Sequence, residues 1–170
     1  YPDTYVGEIT GNAPVTDEGG DDDFSGNIVS SYEELVDALS TLEYEAITLD
    51  APITLEADVD LGTNYLYIED GGSIVVPNGI TLSVFCGSGL DVNPGGKLIV
   101  ESGGVLNNEF SIHVFGGALT VKSGGIYVHN GSLYAWNEPG TSVSGVPKSQ
   151  QTYGSMVFSD SEFRSAAKVT

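Results

Sequence analysis

The chain is short of basic residues and contains only one cysteine. Its 170 residues include five Lys or Arg, one Cys, one Met and one Trp. So few cations argue against binding nucleic acid, whose phosphates must be neutralised, and against docking on an anionic membrane. No apolar run reaches the roughly 18 residues that a membrane-spanning helix needs, so we expect no membrane span. A single thiol excludes a disulfide within the chain.

Acidic residues and glycine are abundant instead. The chain has 24 Asp and Glu, 23 Gly and a net charge of -19, and residues 1–70 hold 18 of the acids and none of the bases. Residues 1–27 are predicted to form an acidic N-terminal segment. Its few apolar side chains are expected to dock either on this domain or on a neighbouring chain. A loose Ca²⁺ site at Asp21, Asp22 and Asp23 is the alternative, although the spacing of an EF-hand is absent. No other cofactor is expected.

One segment carries a helical pattern. Ser31 and Glu34 match a capping box, and Leu35, Leu39 and Leu42 lie on one helical stripe. We therefore predict a helix over 31–42, within a capping region of residues 28–45. Because the end of a stack of strands exposes backbone and apolar core, the helix is expected to cover that end.

A glycine-punctuated repeat begins after residue 46. GGSIVVPNGITL from Gly71, GGKLIVESGGVL from Gly95 and GGALTVKSGGIYV from Gly116 align, with starts 24 and 21 residues apart. Short strands separated by glycine turns at this period are typical of a β-solenoid. The prediction is an all-β fold, a short parallel β-solenoid of about four to five rungs with an N-terminal capping helix. The rungs span residues 46–137, and residues 138–170 form a C-terminal strand or tail that closes the solenoid.

The phase of the repeat predicts which side chains point inward. Alternation along each strand assigns inward positions on the first and second strands of each rung to a set of small or branched apolar residues. The strands concerned are predicted at 65–69, 89–93, 111–115 and 132–136, and at 53–55, 73–76, 97–100 and 118–121; third strands are predicted at 59–61, 80–85, 105–107 and 126–129. The inward set is Leu66, Ile68, Leu90, Val92, Ile112, Val114, Leu133 and Ala135, with Ile74, Val76, Leu98, Val100, Leu119 and Val121.

This arrangement resembles the right-handed parallel β-helix of pectin-lyase-like proteins. The amphipathic helix that leads into ITLDAPITL and the glycine-punctuated rungs carry the resemblance, over about residues 30–136. The resemblance implies the fold, the handedness of the coil and a class of polysaccharide lyases and hydrolases. Those enzymes use an acid cluster with a base, or several Asp on adjacent rungs, whereas Asp91 is the one Asp between 71 and 159. We therefore expect no enzyme activity.

Two outward columns are the candidate binding or assembly face. Their members alternate aromatic rings with polar groups, which suits stacking on sugars or burial against another protein. The alternative is that outward aromatics simply pack between rungs. The first column is Tyr67, Asp91, His113 and Tyr134, and the second is Glu69, Asn93, Phe115 and Trp136. His113 and His129 lie on different predicted strands without a supporting cluster, so no zinc site is expected.

Cys86 extends the inward parity of Ile80, Leu82 and Val84. This position favours a buried and inert thiol, and an intermolecular disulfide is the alternative.

The function expected from these features is a non-enzymatic extracellular structural protein that self-assembles through its solenoid, as a sheath, surface-layer or fibre subunit. A weaker resemblance, of class alone, is to amyloid-like sheath proteins of archaeal cells. The alternative is a surface-anchored adhesin or carbohydrate-binding module, and a polysaccharide lyase or hydrolase ranks below both. The expected partners are copies of the chain itself or a cell-surface polysaccharide. The expected location is extracellular, with a signal peptide already removed.

Overall fold

The short alternating segments of the sequence form strands throughout. A computed structural model describes residues 27–136, 155–158 and 162–165. In this part of the chain the elements are β1 (Ile28–Val29), α1 (Tyr32–Thr41), β2 (Ala46–Leu49), β3 (Pro52–Thr54), β4 (Val59–Asp60), β5 (Tyr65–Ile68), β6 (Ser73–Val76), β7 (Thr81–Val84), β8 (Gly89–Val92), β9 (Lys97–Val100), β10 (Val105–Asn108), β11 (Ser111–Phe115), β12 (Ala118–Val121), β13 (Ile126–His129), β14 (Ser132–Trp136), β15 (Ser155–Phe158) and β16 (Glu162–Ser165).

The strands stack into three parallel sheets. Sheet A has the order β1-β2-β5-β8-β11-β14, sheet B the order β15-β12-β9-β6-β3, and sheet C the order β16-β13-β10-β7-β4. Each turn of the coil contributes one strand to each sheet, and each strand pairs in parallel with the strand one turn earlier. The chain is therefore a parallel β-solenoid of about five turns with one short helix near its start, as predicted.

The core is a stack of aliphatic side chains inside this coil. The predicted inward residues from Leu66 to Val114 on sheet A and from Ile74 to Val121 on sheet B are at most 1 % exposed. Leu133 is partly buried. Ala135 pairs in register with the fully buried Val114, as its inward assignment requires, but it is itself exposed. It lies on β14, the last strand of sheet A, and no later rung of the described chain covers it.

Tight glycine turns separate the strands. Gly71, Gly79, Gly87, Gly95 and Gly103 follow one another at intervals of eight residues, and all have positive φ, a region that glycine enters without strain. At Gly95 a Cβ would also collide with the carboxylate of Asp70 one turn earlier. Three intervals of eight residues make one turn of 24 residues, with one strand on each of its three sides. The spacing of these glycines is visible in the sequence.

Helix α1 covers the N-terminal end of the core. Ser31 is the N-cap, and its Oγ accepts the backbone N–H of Glu34 at 3.2 Å. The return contact differs by one residue from a capping box, because Glu34 accepts the N–H of Ser30, not that of Ser31. Leu35 is fully buried, and Leu39 and Leu42 pack against the core as predicted. Strand β1, which precedes the helix and pairs with β2, was missed because two residues carry no periodicity.

The last turn continues beyond residue 137. Strand β15 lies within the predicted C-terminal strand or tail of residues 138–170 and pairs with β12. The strand β16, which pairs with β13, was not predicted. The register step from Leu119 to Met156 is much longer than the step from Leu98 to Leu119, so the repeat was not visible there.

Cys86 does not continue strand β7. The strand ends at Val84, and residues 85–88 form a tight turn closed by the Ser88 N–H on the Phe85 carbonyl. The parity argument fails where the strand ends, and the thiol is exposed. The predicted burial of Cys86 is therefore wrong, while the intermolecular disulfide stays a prediction.

Replacing Leu98 by Asp is expected to abolish cooperative folding, because an unpaired carboxylate would replace a fully buried side chain at mid-stack. We expect a loss of about 4 kcal/mol or more in the free energy of unfolding, measured by urea denaturation. Lys97→Asp is the matched control, since Lys97 is the exposed neighbour on the same strand. Equal stability of the two variants would contradict the inward assignment of Leu98.

Candidate functional site

The outer face of sheet A brings the first predicted column together. The parallel register pairs Tyr67 with Asp91, Asp91 with His113, and His113 with Tyr134. Because neighbouring strands lie about 4.8 Å apart, residues far apart in the sequence become direct neighbours. Tyr134 is 45 % exposed and the other three are half-buried, so the column is accessible from outside.

The second column is less uniform. Phe115 and Trp136 are paired in register at the ends of β11 and β14. Glu69 is half-buried, but Asn93 is only 7 % exposed, which corrects its predicted outward position. Its Nδ2 donates to Glu69 Oε1 at 2.5 Å, and its buried Oδ1 has no hydrogen-bond partner. Asn93 follows β8 and begins the turn that its own carbonyl closes with Gly96, so strand alternation no longer applies.

A groove lies beside the first column. On the adjacent outward positions Tyr65 is paired with Gly89, and Ser111 is paired with Ser132. Because these partners are small, a groove of about 420 Å³ opens on this face, which we call the sheet A groove. It is lined by Tyr65, Tyr67, Ser88, Gly89, Asp91, Phe110, Ser111, His113 and Ser132.

A chain of hydrogen bonds runs through the groove wall. Ser111 Oγ lies 2.8 Å from His113 Nε2, and His113 Nδ1 lies 3.0 Å from Asp91 Oδ1. The His113 ring also contacts the rings of Phe115 and Tyr134, with centroids 5.1 Å and 5.7 Å away. The imidazole is therefore held from several sides, by polar groups at both nitrogens and by aromatic rings beside it.

The electrostatics of the groove centre on Asp91. Burial raises the pKa of Asp91, while its charge interaction and hydrogen bond with His113 lower it and the charge of Glu69 raises it. Burial also raises the pKa of Tyr67, and the neighbouring Asp91 adds to that effect. The phenol of Tyr67 therefore keeps its proton at neutral pH. The residues that line the groove include one carboxylate, Asp91, and no Lys or Arg.

A second group of hydrogen-bonded side chains lies on sheet C. Inside the fourth turn, Tyr127 OH accepts from Asn108 Nδ2 at 2.9 Å and lies 3.0 Å from His129 Nδ1; burial raises the pKa of Tyr127 to about 12. His113 is on sheet A and His129 on sheet C. Within residues 27–136 and the two later strands, no cluster of three His, Cys, Asp or Glu could hold a metal ion. The Ca²⁺ site considered at Asp21, Asp22 and Asp23 lies outside the described residues.

Sequence reasoning missed six of the nine residues that line the groove: Tyr65, Ser88, Gly89, Phe110, Ser111 and Ser132. Tyr65 and Phe110 were not placed in a column, and both are about two-fifths exposed, at 41 % and 40 %. Ser111 was passed over although it lies two residues before His113 and hence on the same face of one strand. The sequence holds the signal for this group, because Ser111 lies two residues before His113 and His113 is predicted to align with Asp91. Together these two relations place the three side chains next to one another.

No family model, curated protein or solved structure matches this chain. Its class, a parallel β-solenoid, therefore rests on the strand register. Helix α1, of ten residues, is too short to cross a bilayer, and no other helix occurs in the described ranges.

The balance of charges at Asp91 can be tested by removing its neighbours one at a time. His113→Ala is expected to raise the pKa of Asp91, because two interactions that favour the carboxylate are lost. Glu69→Gln is expected to lower it, because a like charge is removed. Carboxyl ¹³C chemical shifts followed through a pH titration measure both effects. His129→Ala, on another sheet, is the control and should leave the pKa unchanged; identical titrations in all four proteins would contradict the geometry.

Proposed function

We propose that this chain is a carbohydrate-binding module and that the sheet A groove holds its ligand. The observation that carries the proposal is the groove itself, with aromatic side chains beside small polar ones on a flat sheet. Ligand sites typically combine apolar surface with a few polar groups that fix orientation. The carbohydrate-binding alternative drawn from the sequence is thus favoured over self-assembly. An extracellular location fits this role and stays a prediction.

Aromatic and hydroxyl groups suit a sugar for separate reasons. The C–H faces of a pyranose ring pack on aromatic rings, and Tyr65 at 41 % exposure offers such a surface. Sugar hydroxyls need donors and acceptors, which Ser111, Ser132 and Asp91 supply. Because the face repeats at the strand spacing of about 4.8 Å, it favours an extended chain over a compact ligand.

The charge of the protein narrows the ligand class. The net charge is -19, and the ionisable groups in and beside the groove include Asp91 and Glu69. Like-charge repulsion raises the cost of bringing an anionic polymer to this face. The proposed ligand is therefore a neutral polysaccharide, and polyuronates are disfavoured.

Calorimetric titration with soluble neutral polysaccharides tests this function. Arabinoxylan, galactomannan and mixed-linkage glucan form the panel, and polygalacturonate is the anionic comparison. Tyr65→Ala is expected to weaken binding about tenfold, as for loss of an interface anchor worth about 1.4 kcal/mol.

Tyr44→Ala is the matched control for this titration. Tyr44 is 72 % exposed and does not line the groove, so its loss should leave the affinity unchanged. Equal weakening by the two substitutions, or no binding of any neutral polysaccharide, would contradict the proposal.

Self-assembly is the second candidate, and two observations favour it. Cys86 is exposed on a turn, where it is available to a second chain. Strands β14, β15 and β16 are the last in their sheets and each has one edge without a partner among the described residues. Helix α1 covers the opposite end of each chain. Two chains stacked through their open ends therefore form a closed dimer to which no third chain adds.

Light scattering coupled to gel filtration, with and without reductant, tests this candidate. Assembly predicts particles of at least twice the 17.7 kDa chain mass. A disulfide at Cys86 predicts that reductant and Cys86→Ser have the same dissociating effect. A monomer at every concentration in oxidising buffer would exclude both.

A further inference from the structure

Three side chains on the wall of the sheet A groove are connected in an order that matters chemically. The carboxylate of Asp91 is at Nδ1 of His113, 3.0 Å away, and the hydroxyl of Ser111 is at Nε2, 2.8 Å away. A hydroxyl, an imidazole and a carboxylate in this order define a nucleophile, its base and the group that orients the base. Such a constellation is recognised by geometry and not by sequence position.

The fold places these groups without any loop. Ser111 and His113 are two residues apart on β11, so both point outward. Asp91 is the register partner of His113 on β8. Positions on paired strands are held more firmly than positions on loops, which is what a reacting group requires.

The hydrogen bond to Asp91 determines which nitrogen of His113 carries a proton. A carboxylate only accepts, so Nδ1 must donate to it. In the neutral ring Nε2 then keeps its lone pair and accepts the hydroxyl proton of Ser111. The imidazole is thus held in the tautomer that a general base needs, with its other nitrogen directed at the hydroxyl.

The group is also accessible. Ser111, His113 and Asp91 all line the groove of about 420 Å³, and the side chains of His113 and Asp91 are 32 % and 22 % exposed. A ligand in the groove therefore meets the hydroxyl of Ser111, while the carboxylate stays largely shielded from water.

We propose that the sheet A groove is an acyl-ester hydrolase site in which Ser111 is the nucleophile, His113 the general base and acid, and Asp91 the positioning residue. The acyl ester is one carried by a sugar hydroxyl, and this choice of alcohol rests on the proposed function. The ester hydrolysis itself does not depend on it, because any ester that enters the groove meets the same three groups.

The reaction balances with water as the only co-reactant. Ser111 Oγ bonds to the carbonyl carbon while its proton moves to His113 Nε2, and the ester C–O bond then breaks as Nε2 returns that proton to the leaving alkoxide. Water attacks the acyl-serine, giving a proton to Nε2, and the bond from the acyl carbon to Oγ breaks as Oγ regains a proton. The products are an alcohol and a carboxylic acid.

One further residue is positioned to help. Ser132 is the register partner of Ser111 on the next strand and also lines the groove. Its hydroxyl is a donor beside the nucleophile, where negative charge develops on the carbonyl oxygen. In the proposed reaction, Ser132 is the donor that stabilises the oxyanion.

Covalent labelling of the full chain tests the nucleophile without a known substrate. A fluorophosphonate probe is added, the adduct is located by peptide mass spectrometry, and hydrolysis of p-nitrophenyl acetate is followed in parallel. We expect one dominant adduct on Ser111, and at least a hundredfold loss of labelling and hydrolysis rate in Ser111→Ala and His113→Ala. Ser73→Ala is the control, an outward serine of sheet B that should keep both rates.

The role of Asp91 needs a signature that a structural role would not produce. In Asp91→Asn the ring ¹⁵N shifts of His113 are expected to show the proton leaving Nδ1, together with at least a tenfold slower labelling of Ser111, while thermal unfolding is little changed. Unchanged ¹⁵N shifts, or normal labelling in this variant, would overturn the assignment of Asp91.

Binding to neutral polysaccharide separates this proposal from the proposed function. If Ser111 takes no probe and Ser111→Ala hydrolyses ester as fast as the wild type, the hydrolase is excluded, and polysaccharide binding by the same samples leaves the binding function standing. If Ser111 is labelled but no polysaccharide binds, the hydrolase stands and its substrate is an ester of another alcohol.

Discussion

Parallel pairing in register is the constraint on which the rest of the molecule depends. Each strand pairs with the strand one turn earlier, so a residue's neighbours are set by its place in the turn. Side chains alternate between core and surface, and a slip of one residue would exchange the two faces. On β8 such a slip would bury Asp91 and expose Leu90. The same register therefore determines which side chains form the core and which form the outer columns.

Changes in the length of a turn are absorbed at corners and not within strands. The register step is 24 residues from Leu66 to Leu90 and 21 from Ile112 to Leu133. Two residues, Glu109 and Phe110, connect β10 to β11. Four residues, 85–88, connect β7 to β8 at the same corner one turn earlier. Because the strands keep their register, the same faces stay aligned across turns of unequal length.

Most of the fold was predictable because its signals are local and repeated. The inward aliphatics and the helix cap at Ser31 depend on alternation and short motifs that survive in any one turn. The failures lie where alternation stops. Cys86 and Asn93 are in corners, whereas Ala135 keeps the register of Val114 and is exposed because no later strand of the described chain covers it. The candidate site was predicted as a column, but the hydrogen bond at its centre was not, because Ser111 was not included in either predicted column.

The site combines two demands that usually fall on different parts of a protein. Binding needs an open surface, and a nucleophile needs partners held within a few tenths of an ångström. A loop meets the first demand at the expense of the second. Here the backbone of β8 and β11 serves both, because its ladder hydrogen bonds hold Asp91 opposite His113 while its outer side chains face solvent. The rings of Phe115 and Tyr134 beside the imidazole restrict it further. A solenoid face can thus be exposed and pre-organised at once, which makes surface chemistry compatible with a fold built from stacked strands.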